Sequence, residues 1–162
     1  MLSIDYFFSK EIVADKVGFE LGYFSIFDDD KILYDGKKNQ NFMLFLSIPD
    51  ILLDLCDLIE SKKKKKDTVL ADSSVIMSFL NKDGKIQLRI NDIFIFEEKS
   101  REVIKVFYDS SKKFVEKNMY RIEDSVKFDL KYGLKKYQLV MANRLPRKLT
   151  LQFIVNNSTN QI

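Results

Sequence analysis

An α+β fold is predicted, with a mostly antiparallel sheet built from two hairpin or meander blocks and two or three helices packed on it. Three observations carry this. Two stretches rich in aromatic and branched residues are each interrupted by turn residues, at Asp28–Asp30 and at Lys82-Asp83-Gly84. After each block the apolar spacing changes from the period of a strand to that of a helix. The chain has 162 residues, 46% of them apolar with 14 Phe, and a chain of this size hides about 70% of its unfolded surface without disulfides or metals.

Taken in order, residues 6 to 17 are mixed, and Val13, Val17 and Phe19 are the candidates for a first strand. "LGYFSIFDDDKILYDG" then gives strands over Leu21–Phe27 and Ile32–Tyr34, with Asp28, Asp29 and Asp30 as the turn, because Asp tolerates turn conformations and accepts local backbone hydrogen bonds. The continuous apolar run Phe42–Leu46 suits a strand buried on both faces. Ser47 and Asp50 have capping-box spacing and Pro49 falls in a first turn, so a helix is expected from about Ile48 to Glu60. At about 100° per residue, Ile51, Leu52, Leu55, Leu58 and Ile59 share one face, and Asp50, Asp54 and Asp57 share the other.

Val75–Leu80, Lys85–Ile90 and Ile93–Phe96 read as an antiparallel meander, with Ile86, Leu88 and Ile90 alternating against polar neighbours. Ser100 opens a second amphipathic helix whose apolar arc holds Val103, Ile104, Phe107, Phe114 and Val115. Beyond Met119 two periods overlap. Val126, Phe128, Leu130 and Tyr132 alternate as in a strand, while Ile122, Val126, Leu130, Leu134, Tyr137 and Met141 recur at helical intervals for longer, which favours a helix over roughly 121 to 142. Pro146 ends it, and "KLTLQFIV" reads as a final strand before a frayed polar end. One domain over 1–162 is expected: an α+β body to 118, then the helix and strand. A βββα unit used twice around one sheet, over 20–60 and 74–117, is a further expectation.

Net charge is +3, from 27 Lys and Arg against 24 Asp and Glu, but without Lys62, Lys63, Lys64, Lys65 and Lys66 the balance is 22 against 24. The basicity is therefore one local run. A nucleic-acid binder spreads cations over a face with aromatics placed for stacking, so a nucleic-acid partner is disfavoured, with Lys62–Lys66 as the contact if there is one. The run is expected to begin at the end of the first helix, where the helix dipole favours cations, and to continue as an extended, mobile connection toward a strand near Thr68. Lys131, Lys135, Lys136, Arg144, Arg147 and Lys148 form the second place where cations gather.

Histidine is absent and Cys56 is the one cysteine, which excludes Ser-His-Asp and Cys-His hydrolases, zinc sites of the usual kinds and thiol redox pairs. No glycine pattern cradles a phosphate, and no cofactor is expected. Asp28–Asp30 with Asp35 would supply hard oxygen ligands, but they lack the spacing of a calcium loop, so a charged hairpin tip is the preferred reading and no metal is expected. Cys56 is assigned to packing. A single cysteine, no secretory leader and no apolar run near the roughly 20 residues of a membrane helix point to a cytoplasmic protein without a membrane partner.

The layout of "LGYFSIFDDDKILYDG", "SIPDILLDLCDLIE", "SVIMSFLNKDGKIQLRIN" and "REVIKVFYDSSKKFVEKN" resembles small bacterial α+β proteins of the immunity or antitoxin kind, over about residues 20 to 118. The resemblance implies a non-enzymatic protein that binds a cognate toxin and blocks it. Occlusion needs a charged, shape-matched surface, for which Asp28, Asp29, Asp30, Asp50, Asp54, Asp57 and Glu60 are the candidate partner-binding residues. Two alternatives stay open: a nucleic-acid-associated protein, and a structural or oligomerising accessory protein of a phage or secretion system.

Overall fold

The first seven-residue strand comes earlier than expected. In the computed structural model, which describes residues 1–9, 18–38, 41–61 and 63–144, β1 spans Leu2–Phe8 and buries Ile4 and Tyr6 while Ser3, Asp5 and Phe7 face out. Val13 and Val17 lie outside the described residues, and Phe19 precedes the next strand. β1 pairs antiparallel with β2 (Leu21–Asp28), from Leu2 opposite Asp28 to Phe8 opposite Gly22. β2 turns through Asp29 and Asp30 into β3 (Lys31–Asp35), and Asp29 takes a left-handed φ of 49° that a short polar side chain tolerates.

The run Phe42–Leu46 is not one strand. Only Phe42 and Met43 (β4) pair, with Gly22 and Leu21 of β2, and the helix α1 starts at once, over Leu44–Glu60. Leu44, Ile48, Ile51, Leu52, Leu55, Leu58 and Ile59 are all buried, so the helical period extends upstream of the predicted start. Ser47 is accordingly no cap. It lies buried inside the helix, where its Oγ accepts the Ala71 N–H at 2.9 Å, and the first N–H of the helix goes instead to the Glu20 carbonyl at 3.3 Å.

The second sheet is the meander β5 (Lys65–Val69), β6 (Ile76–Lys82), β7 (Lys85–Ile90) and β8 (Ile93–Lys99), antiparallel in that order. Its two tight turns put both central residues at positive φ, Asp83 and Gly84 at 51° and 78°, Asn91 and Asp92 at 48° and 64°. That is the hairpin geometry whose twist matches the strands. Each β block thus makes its own four-stranded sheet, and no ladder joins the two among the described residues, which corrects the expectation of one shared sheet.

Helices join what the sheets do not. α2 (Ser100–Asn118) places Phe114 against Tyr6, Phe8 and Phe45 of the first half, with ring centroids 5.2 to 5.5 Å apart, and Phe107 against Phe79 of the second sheet at 5.5 Å. Buried Tyr6 and Ser111 share a 3.0 Å hydrogen bond across the same seam. α3 (Asp124–Arg144) confirms a helix in the ambiguous tail; Tyr137 stacks on Tyr108 and donates its hydroxyl to the Ile104 carbonyl at 2.7 Å. α3 lies close on α1 at Gly133, where a Cβ would stand 3.2 Å from the Cα and Cβ of Pro49. Pro146 and the "KLTLQFIV" strand fall outside the described residues. No described helix is long and apolar enough to cross a membrane.

Candidate functional site

Two of the surfaces singled out in the sequence turn out to be halves of one structure. β5 returns antiparallel to β6 and runs beside α1, so the lysines after the helix fold back onto the helix's own acids. Lys66 Nζ pairs with Asp54 at 3.0 Å and Asp57 at 3.2 Å, and Lys63 Nζ with Asp57 at 2.7 Å. Thr68 adds a hydroxyl hydrogen bond to Asp54 at 2.8 Å. The Lys63 and Lys66 hydrogen bonds hold the Asp57 carboxyl below the usual carboxylate range, and Asp54, then Asp57, holds Lys66 above the usual range for an amine.

The remaining lysines differ. Lys65 pairs with Asp67 at 3.0 Å, and Lys64 gives its carbonyl to the Asn81 N–H at 2.8 Å; Lys62 lies outside the described residues. Lys65 and Lys66 belong to a strand, so the expected mobile connection is corrected from Lys65 onward, because β6 supplies a ladder for it. Lys63 and Lys66 neutralise Asp54 and Asp57, and Lys65 pairs with Asp67, while Lys64 is exposed and makes no ion pair among the described residues.

Five of the predicted acids remain apart from that cluster. Glu60 is exposed and makes no ion pair among the described residues. Asp50 lies at the mouth of a groove of about 430 Å³ between α1 and α3, lined by Leu46, Pro49, Leu53, Asp129 and Tyr132. Burial first, then the like charges of Asp54 and Asp129, push its carboxyl above the usual range. Asp30 sits at the exposed hairpin tip.

Asp28 and Asp29 share that tip, with side chains 59% and 78% exposed, and the Met1 amino group bonds both, at 3.0 Å to Asp28. Asp28 also opens into a second groove of about 600 Å³, bounded by β1, β8 and α2, in which Glu98, Glu102 and Asp109 join it over a floor containing Leu2 and Val106. Lys105 pairs with Asp109 at 2.7 Å, leaving Glu98 and Glu102 without an ion pair among the described residues. Sequence reasoning missed these two. The signal was the "FEEKSRE" junction, where a strand ending in acids runs directly into a helix whose first turn carries another.

Cations and aromatics do meet in one place, a groove holding Phe7, Phe8, Tyr23, Lys37, Lys117 and Arg121. Arg121 lies over the Phe8 ring at 4.8 Å and faces buried Glu20 at 3.7 Å, so its charge is answered from within. Lys131 and Lys135 are exposed on α3 and Lys136 half-buried; Arg147, Lys148 and the Arg144 side chain are not described. Cys56 is buried, and burial pushes its thiol up to about 12, with Lys136 opposing only in part. A thiol so held is a poor nucleophile. No group of three or more Cys, Asp or Glu is arranged to hold a metal among the described residues. No family model, curated protein or solved structure matches the chain.

Proposed function

We propose that the chain is a non-catalytic binding protein whose partner presents a basic surface, and that it acts as an immunity-type protein, neutralising a toxin by occluding it. One observation carries this reading: the open groove where Glu98 and Glu102 lie without an ion pair among the described residues, beside the exposed hairpin tip at which the Met1 amino group bonds Asp28 and Asp29 and Asp30 is exposed. Carboxylates of one sign around a concave, partly apolar floor raise the local concentration of a cationic partner and speed its encounter. The acids of α1 contribute little to that field, since lysines of the same chain cover Asp54 and Asp57.

Absence of histidine and the suppressed Cys56 thiol support a binding role over a catalytic one. A nucleic-acid role is weakened at its best candidate, because Lys63, Lys65 and Lys66 pair with acids of the same chain. The test is co-expression with the product of the adjacent gene. Growth rescued by the natural chain and lost with Glu98→Lys plus Glu102→Lys, in a protein with unchanged circular dichroism, supports the reading. Rescue indifferent to that charge reversal, or a neighbouring product that is harmless alone, overturns it.

A further inference from the structure

The seam between β1 and α2 ends in two grooves of opposite charge. The one at Leu2 holds Asp28, Glu98 and Glu102, with Lys105 paired to Asp109. The one at Phe8, of about 600 Å³, is lined by Lys37, Lys117 and Arg121 and by no acid among the described residues. Its cations are not equally answered. Arg121 lies over the Phe8 ring at 4.8 Å and faces buried Glu20 at 3.7 Å. Lys37 and Lys117 are exposed and make no ion pair among the described residues, whereas Lys38, next to Lys37, pairs with Asp35. Phe7 opens into the same groove. It is 38% exposed and stacks on half-buried Tyr23, with ring centroids 5.2 Å apart and planes at 24°.

The groove thus sets an open aromatic surface beside two uncompensated positive charges, and its volume is that of a small-molecule site. A ligand that uses both features carries a flat ring and a negative group. An acidic side chain alone answers the lysines and leaves the aromatic pair wet. An apolar segment covers the aromatic pair and strips water from unpaired ammonium groups, which is costly. Proteins that hold nucleic-acid strands extend their cations along a track of several nucleotides, whereas here the three line one recess. We propose that this groove binds a small aromatic anion, of which a nucleoside monophosphate is the type. Its base lies on the Phe7–Tyr23 pair and its phosphate takes the Lys37 and Lys117 ammonium groups, while Arg121, tied to Glu20 and Phe8, walls the recess. Neither Glu98 nor Glu102 lines this groove, so failure here leaves the immunity reading standing, and failure of that reading leaves this site standing.

The probes are the common ribonucleoside monophosphates, adenosine and ribose 5-phosphate, each titrated into the full chain and followed by NMR. At least one monophosphate should shift the amide signals of Phe7, Tyr23 and Lys117. Its affinity should fall about tenfold with Lys37→Gln plus Lys117→Gln, and adenosine and ribose 5-phosphate, lacking the charge or the ring, should bind at least as weakly as that. Phe7→Leu should weaken the monophosphate and leave ribose 5-phosphate unchanged, a split that general attraction to anions does not give. The proposal is overturned by the absence of shifts with every monophosphate at millimolar concentration, or by affinity indifferent to the two Gln substitutions. A short single strand bound more than about tenfold tighter than its monomer, or self-association of the chain that buries Phe7, overturns it equally.

Discussion

Asp50 and Asp57 stand two turns apart on the same side of α1, and their carboxyls are displaced in opposite directions. Asp57 is held ionised by Lys63 and Lys66, whereas Asp50 has burial and two neighbouring carboxylates raising it. The helix contributes Asp54 to the rise at Asp50, and the rest of the difference comes from the segments packed alongside: β5 with its lysines at one end, α3 with Asp129 at the other. A helical face therefore tells which side chains look outward, and only tertiary packing tells which of their charges a partner would meet.

Separating the two helices is the strongest way to break this contrast. Gly133→Leu forces a side chain into the 3.2 Å space above Pro49 and should cost roughly 3 kcal/mol in chemical denaturation. It should also move Asp129 away from Asp50 while leaving the Asp57 shift in place, as read by carboxyl chemical shifts. Next comes Asp54→Ala, which removes the 3.0 Å pair with Lys66 and the 2.8 Å bond from Thr68. Both partners are partly solvated, so a loss of about 1 to 2 kcal/mol is expected, reduced by salt.

The acid limb sharpens the comparison further. A lowered carboxyl pKa means that the folded chain binds fewer protons than the unfolded one, so the stability from Asp57 is present above the ordinary carboxylate pKa of about 4 and lost as pH falls through the folded value. Asp57→Asn should flatten that limb in urea titrations taken at successive pH values. Asp50 has the opposite sign: its raised pKa means that ionisation disfavours the fold, an effect absent at low pH and complete above the folded value. Asp50→Asn should hence be neutral or stabilising at pH 7, within about 0.5 kcal/mol, with the gain gone in acid.

Much of this fold was legible because turns and periods agree locally. Asp83-Gly84, the alternation Ile86-Leu88-Ile90 and the arc from Val103 to Val115 each point one way. Where the reading failed, two signals coincided or a distant one decided. "FMLFL" is apolar at every position, so nothing nearby separates strand from helix; bonds from Met43 to Ala71 and from Leu44 to Glu20 mark the change. Strand β1 has only the short alternation of Ile4 and Tyr6 with Ser3 and Asp5 to mark it, and its partner β2 begins only at Leu21, so pairing and not local pattern decides it. In α3 the strand-like spacing of Val126, Phe128, Leu130 and Tyr132 arises because both of its faces are apolar. As for the site, Asp28 and Asp50 were visible as acids, but the cover over Asp54 and Asp57 comes from a strand folding back, which no local pattern records.

The paired positive-φ turns at Asp83-Gly84 and Asn91-Asp92 bear on how the chain reaches this state. They connect β6, β7 and β8 through two-residue loops, so the second sheet closes with little loss of chain entropy and on the microsecond scale of isolated hairpins. The first sheet must instead bring Leu2 to Asp28 before its outermost pair forms. Refolding is expected to nucleate in the meander, with a high φ-value for Leu88→Ala and a low one for Ile4→Val, so the half of the molecule synthesised later is the half that orders first.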